Sequence, residues 1–236
     1  MLEQKRSAQT GTAQRVRSKS IQRRQRILDA AARALAEHGY SEAKLSDIAQ
    51  EAGTHAGSLY YYFPSREDLV TEVLLTSLDR MSEFSSALMA DTGVSPLGRV
   101  LAFVGLVIEQ TLAPDDHYFR AYMRNGAQVP QHIRTVLHAR RLRTRRTLSQ
   151  LLKDAQKSGE ISTEIDPNIA AQFIMGAANW VGTWFEPGGS YSVKQLTKAY
   201  LDLVLNGVSA RGSRPDANAP SPRGKAAKTT RGGKSR

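Results

Sequence analysis

The chain has 236 residues and no cysteine, which excludes a disulfide scaffold, a thiolate metal site and a thiol nucleophile. The net charge of +11 is concentrated at the ends. Residues 1–26 carry eight Lys/Arg against Glu3 and residues 211–236 carry eight against Asp216, a balance of +7 each that leaves the body at −3. There is no apolar run of about 18 residues and no apolar stretch near the basic N-terminus, so a soluble cytoplasmic protein with no membrane partner is expected.

Both ends are poor in large apolar side chains and rich in small or polar ones, and neither can build a core. They read as a disordered basic arm over 1–19 and a disordered basic tail over 211–236. The positions of Arg15, Arg17, Lys19, Arg23 and Arg24, leading into the first helix, suit a phosphate backbone or a minor groove. The tail reads equally as a nucleic-acid tether and as a solubility tail. A first helix is expected after Ser20, with Ile27, Leu28, Ala31 and Leu35 on one stripe and Gly39 at its end.

The segment Leu45–Phe63 carries the most information. Ile48, Ala49 and Ala52 recur at helical spacing, and Gly53 stands where a left-handed residue ends a helix. Thr54 is expected as N-cap of a second helix over roughly His55–Tyr62, anchored by Leu59 and Phe63. That leaves His55, Ala56, Gly57, Ser58, Tyr61 and Tyr62 for the other faces. Small residues give little packing energy, and the glycine costs about 1 kcal/mol of helix propensity, but they let a backbone approach base edges. Tyrosine hydroxyls reach phosphate oxygens. Pro64 stops this helix, and Ser65 with Asp68 forms a capping box for the next.

Gly39-Tyr40, Ile48-Ala49, Ala52-Gly53, Gly57-Ser58-Leu59-Tyr60 and Phe63-Pro-Ser-Arg-Glu-Asp-Leu69 together resemble the TetR family of bacterial transcriptional regulators. The resemblance covers Ile21–Leu69. It implies that Ala56, Gly57 and Ser58 lie near base edges and that Thr54, Tyr61, Tyr62 and Arg66 contact phosphates, with His55 at the helix start. Tyr60 is either phosphate-facing or packed. One departure stands out: Lys44 replaces the usual Thr or Ser before the first motif helix, so its capping box with Asp47 is incomplete, and Lys44 is instead a candidate phosphate contact.

The rest of the chain also reads as helical. A long helix is expected from Arg66 to about Ala90, the natural mechanical link between two units, and another from Pro96 to Leu112. Further helices follow over His117–Gly126, from Pro130 to about Lys157, from Asp166-Pro167 to Glu186 and from Ser192 to Asn206. Asp115-Asp116-His117 reads as an acidic helix start rather than a metal site. No metal or cofactor is expected, and no phosphate-cradling loop or nucleophile elbow points to an enzyme. The fold class is all-α: a three-helix helix-turn-helix DNA-binding domain over 20–65, then a ligand-binding and dimerisation domain over 66–210.

The segment Ala170–Phe185 is apolar most of the way round and needs partners on two sides. The family resemblance implies a homodimer through the last two helices, reading a palindromic double-stranded DNA operator at two half-sites. It also implies a small-molecule effector in the second domain. Phe103, Tyr118, Phe119, Tyr122, Met123, Phe173, Trp180 and Trp184 are candidate lining. In the arginine-rich helix, Arg140 and Arg141 flank the apolar face of Ile133, Leu137, Thr144, Leu148, Leu151 and Ala155. Arg141, with Arg140, Arg120 and Arg124 as alternatives, is the candidate for an anionic group, since a buried arginine needs a partner. Asn179–Ser190 resembles family members that regulate lipid, steroid and acyl-CoA catabolism, which implies a bulky apolar anion such as an acyl-CoA. The competing reading is a constitutive or architectural DNA-binding protein, driven by its tails without an effector. A tail-driven binder loses affinity on all sequences alike as salt rises.

Overall fold

Helix boundaries follow the punctuation in the sequence. A computed structural model describes residues 2–113 and 116–206, and those residues form α1 (Leu2–Glu37), α2 (Leu45–Glu51), α3 (Ala56–Tyr62), α4 (Arg66–Ala90), α5 (Pro96–Leu112), α6 (His117–Asn125), α7 (Gln131–Lys157), α8 (Pro167–Trp184) and α9 (Val193–Asn206), with no strand. The Ser65 hydroxyl caps α4 by accepting from the Asp68 amide at 3.0 Å. The Ser95 hydroxyl caps α5, and the Asp166 carboxylate caps α8 by accepting from the Asn168 and Ile169 amides. Those amides hold the Asp166 carboxyl below its ordinary range. Gly39 and Gly53 take positive φ after α1 and α2, a backbone region costly for any residue with a Cβ.

The N-terminus differs from expectation. The backbone is helical from Leu2, through the segment read as a structureless arm over 1–19. Its Ala, Gln, Lys and Arg are good helix formers, and they extend a helix already nucleated by the buried stripe from Ile27 to Leu35. The polybasic tail over 211–236 and Asp115 lie outside the described residues.

Apolar side chains form two cores. The first gathers α1, α2 and α3 around Ile27, Leu35, Leu59, Phe63 and Leu69, and it also takes in Tyr118 and Ala121 of α6 and Ile133 and Leu137 of α7. The second joins Met81 and Leu88 of α4 to α5, the far half of α7, α8 and Leu196 of α9. Helices α4 and α7 therefore run through both cores. α6 belongs to the first, packed against α1 and α4.

Candidate DNA interface and effector cavity

Leu59 and Phe63 bury the inner face of α3, while Ile48, Ala49 and Ala52 bury that of α2. The turn between them is a Schellman arrangement: the Thr54 amide donates to the Ala49 carbonyl at 2.9 Å and the Gly53 amide to the Gln50 carbonyl at 3.1 Å. Thr54 is thus the residue that closes α2. The N-cap of α3 is His55, in extended backbone with no side-chain cap bond, which corrects the expected role of Thr54. Lys44 is the N-cap of α2, also without a side-chain cap, and Ser46 donates to Asp47 instead.

Lys44, His55, Ala56, Gly57, Tyr60 and Tyr61 are exposed, Tyr61 at 82%, while Thr54 and Ser58 are half-buried. Tyr60 therefore faces outward. Tyr62 is half-buried against the first core and meets the Tyr61 ring edge-on at 5.0 Å. Arg66 lies over the Tyr40 ring at 4.3 Å and donates to the Tyr40 and Ala43 carbonyls, so its guanidinium braces the loop before α2. Arg24, expected to serve phosphate, is bidentate to Glu72 at 2.5 Å for both bonds and covers the Phe63 ring, joining α1 to α4.

A cavity of about 350 Å³ lies where the two cores meet, bounded by α4, α5, α6, α7 and α8. Leu78, Met81, Val107, Phe119, Leu142 and Met175 supply its apolar surface. The exposed His138, Arg141 and Gln172 and the half-buried Arg145 make its open side. Burial raises the Tyr122 phenol above its ordinary range, and the Arg141 guanidinium hydrogen-bonded to it pulls the other way. Phe119, Tyr122 and Arg141 are thus brought together around one cavity.

The other lining candidates lie elsewhere. Phe103 is fully buried in the second core, and Met123 is 43% exposed outside the cavity. Phe173 (76% exposed), Trp180 (67%) and Trp184 lie on the outer face of α8, because the phase of that helix turns Gln172, Met175 and Asn179 to the cavity instead. Arg140 pairs with Asp79 at 3.3 Å. Sequence reasoning missed His138 and Arg145, although their spacing of three and four from Arg141 places all three on one helical stripe. Among the described residues, no cluster of His, Cys, Asp or Glu is arranged to hold a metal ion.

The back of α6 is bonded to α1. The Tyr118 hydroxyl donates to Asp29 at 2.7 Å and accepts from Gln25 at 3.0 Å. Burial, and then Asp29, push the Tyr118 phenol well above its ordinary range, so it stays a neutral donor. Arg124 donates to the Ala36 and Glu37 carbonyls at the C-terminal end of α1, where a cation also meets the helix dipole. Asn125 is 0% exposed and donates to the Leu35 carbonyl at 2.9 Å. One short helix therefore has Phe119 and Tyr122 on the cavity and three polar side chains on the motif unit.

A short exposed helix carried on a three-helix core, joined to a helical body that holds a cavity, is the layout of a helix-turn-helix DNA-binding protein. Residues 27–73 match the model for bacterial regulatory proteins of the tetR family, and residues 94–208 match the tetracyclin repressor-like C-terminal domain. The chain is 31% identical over 191 residues to the HTH-type transcriptional repressor KstR2 of Rhodococcus jostii, covering 80% of this chain and 92% of the relative. The chain belongs to the TetR family, and it is a helix-turn-helix transcription regulator rather than an enzyme. Its fold is similar to that of the fatty acid degradation regulator FadR from Bacillus halodurans (TM-score 0.68, 26% identity, 79% and 96% of the two chains). The fold is also shared with AibR, solved in complex with isovaleryl coenzyme A and operator DNA (TM-score 0.69, 21% identity, 78% and 98%).

Proposed function

We propose that this protein is a cytoplasmic, ligand-responsive transcriptional repressor that binds a palindromic operator as a homodimer and leaves it when a small molecule fills the cavity. The effector class is a bulky apolar anion, foremost an acyl-CoA. The observation that carries this reading is the cavity itself, with an apolar floor for an acyl chain and His138, Arg141 and Arg145 at its open side for phosphate or carboxylate. Relatives named for fatty acid metabolism and degradation support the class.

In this reading Ala56, Gly57 and Ser58 approach base edges, and Thr54, Tyr60, Tyr61 and Lys44 position the protein on phosphates. The outer face of α8, with Leu203 and Leu205 of α9, meets a second copy and sets the distance between two recognition helices. Effector between α4, α6 and α7 favours a conformation in which the cavity face of α6 shifts. Through Tyr118, Arg124 and Asn125 that shift reaches α1, while α4 carries its own displacement to the motif through Ser65. A tenfold release requires the ligand to prefer the released state by only about 1.4 kcal/mol.

The test is fluorescence anisotropy on a selected operator duplex with octanoyl-CoA titrated in, alongside calorimetry on the DNA-free dimer. Release together with saturable heat is the expected result. Absence of heat with any acyl-CoA, while an uncharged apolar molecule releases the operator, would refute the effector class and leave the repressor reading standing.

A further inference from the structure

Several hydroxyl side chains of α4 turn back onto the helix itself. Thr76, Ser85 and Ser86 each donate to the carbonyl four residues earlier, on Glu72, Met81 and Ser82. Ser77 does not. It is 2% exposed, lines the effector cavity among Leu78, Met81, Val107 and Phe119, and its oxygen accepts from the Gln110 amide at 3.5 Å. Among the described residues its proton has no acceptor. A buried donor in an apolar wall is costly to leave unpaired, and a saturated chain lying against it would displace water without replacing the bond.

We infer that Ser77, oriented by Gln110, donates to an oxygen on the buried part of the effector, so that the effector is an oxo-acyl thioester rather than a plain saturated one. The inference rests on the acyl-CoA reading above and adds a second recognition point. His138, Arg141 and Arg145 take the anionic end at the open side, and the Ser77–Gln110 pair selects a ketone on the enclosed apolar body. Gln110 engages one of the two Ser77 lone pairs, and the hydroxyl proton left without an acceptor favours a carbonyl oxygen on the ligand.

The experiment is calorimetry on the full-length dimer with octanoyl-CoA and its 5-oxo, 6-oxo and 7-oxo derivatives, using the wild type and Ser77→Ala. At least one oxo compound should bind the wild type about fivefold more tightly than octanoyl-CoA, the factor carried by a net hydrogen bond of about 1 kcal/mol. Ser77→Ala should erase that preference and bind octanoyl-CoA at least as well as the wild type does. Equal affinities for all four ligands on the wild type, or a preference that survives Ser77→Ala, would overturn the inference and leave the acyl-CoA reading intact. Binding of none of the four would overturn that reading, and this inference with it.

Discussion

Helices α3 and α8 both turn aromatic side chains to solvent, with different chemistry. α3 exposes Tyr60 and Tyr61 beside Ala56 and Gly57, whereas α8 exposes Ile169, Phe173, Trp180 and Trp184 around Gly176. Each stripe contains a glycine in ordinary backbone, with nothing within 4 Å of the place a Cβ would occupy. Neither glycine is required by its own fold, and each lowers helix propensity. A residue that weakens its helix without serving the chain points to something approaching from outside. Hydroxyl-bearing tyrosines suit phosphate oxygens, while a contiguous apolar stripe suits another apolar stripe.

The largest effect is expected from breaking the α8 stripe. Phe173→Asp combined with Trp180→Asp should dissociate the dimer and lower operator affinity by roughly 100-fold or more, since central interface aromatics contribute about 2 kcal/mol or more each. Sedimentation analysis and operator titration report the two losses, and thermal unfolding of the protomer should hardly move because both side chains are exposed. A variant that stays dimeric would remove α8 as the interface.

A mirrored pair sharpens the comparison further. Gly57→Ala and Gly176→Ala should each stabilise the protomer by about 0.5–1 kcal/mol, raising Tm by roughly 2 °C. Their functional costs should separate. Gly57→Ala should weaken operator binding roughly tenfold with dimerisation intact, and Gly176→Ala should weaken dimerisation with the DNA face untouched. An operator affinity unchanged by Gly57→Ala would mean that no base edge comes close there.

Tyr61→Ala should have a smaller and less selective effect, lowering affinity for operator and scrambled duplex by the same factor of roughly three to ten. Phosphate contacts position the protein without reading sequence, and a neutral hydroxyl leaves the salt dependence unchanged. Anisotropy on both duplexes at two salt concentrations checks this. A loss of discrimination alone would move Tyr61 to the base-reading group.

The elements of this fold were legible because their ends are punctuated. Gly39 and Gly53, Ser65, Ser95-Pro96 and Asp166-Pro167 each stop or cap a helix for a local reason that needs no tertiary information. The exposed face of α3 was legible for the same reason, since Leu59 and Phe63 are its buried anchors. The cavity was less so. α8 is apolar nearly all round, so its own pattern does not say which side faces in, and the phase set by α5 and α7 sends Phe173, Trp180 and Trp184 outward. Lining by Ser77 and Gln110 depends on two helices meeting, which no local pattern records. Arg66 and Arg24 read as phosphate contacts by type and position, but the Tyr40 and Ala43 carbonyls and Glu72 already engage them.

α6 supplies a third surface to set beside α3 and α8, one turned inward and polar. Tyr118 is hydrogen-bonded to Asp29 and Gln25 on α1 and covered by Arg80 at 4.8 Å, and it lies outside the cavity bounded by α4 to α8. Tyr118→Phe keeps the ring and the cation above it while removing both hydroxyl bonds. Effector affinity of the DNA-free dimer should stay within a factor of two, and operator affinity without effector should change little. The ratio between operator affinities with and without effector should fall about threefold, within the range expected for a residue that couples two sites. Operator titrations with and without saturating acyl-CoA give that ratio directly. An unchanged ratio would assign the coupling to α4 alone, whereas a loss of operator affinity in the absence of effector would make Tyr118 a brace of the DNA-binding unit rather than a link to the cavity.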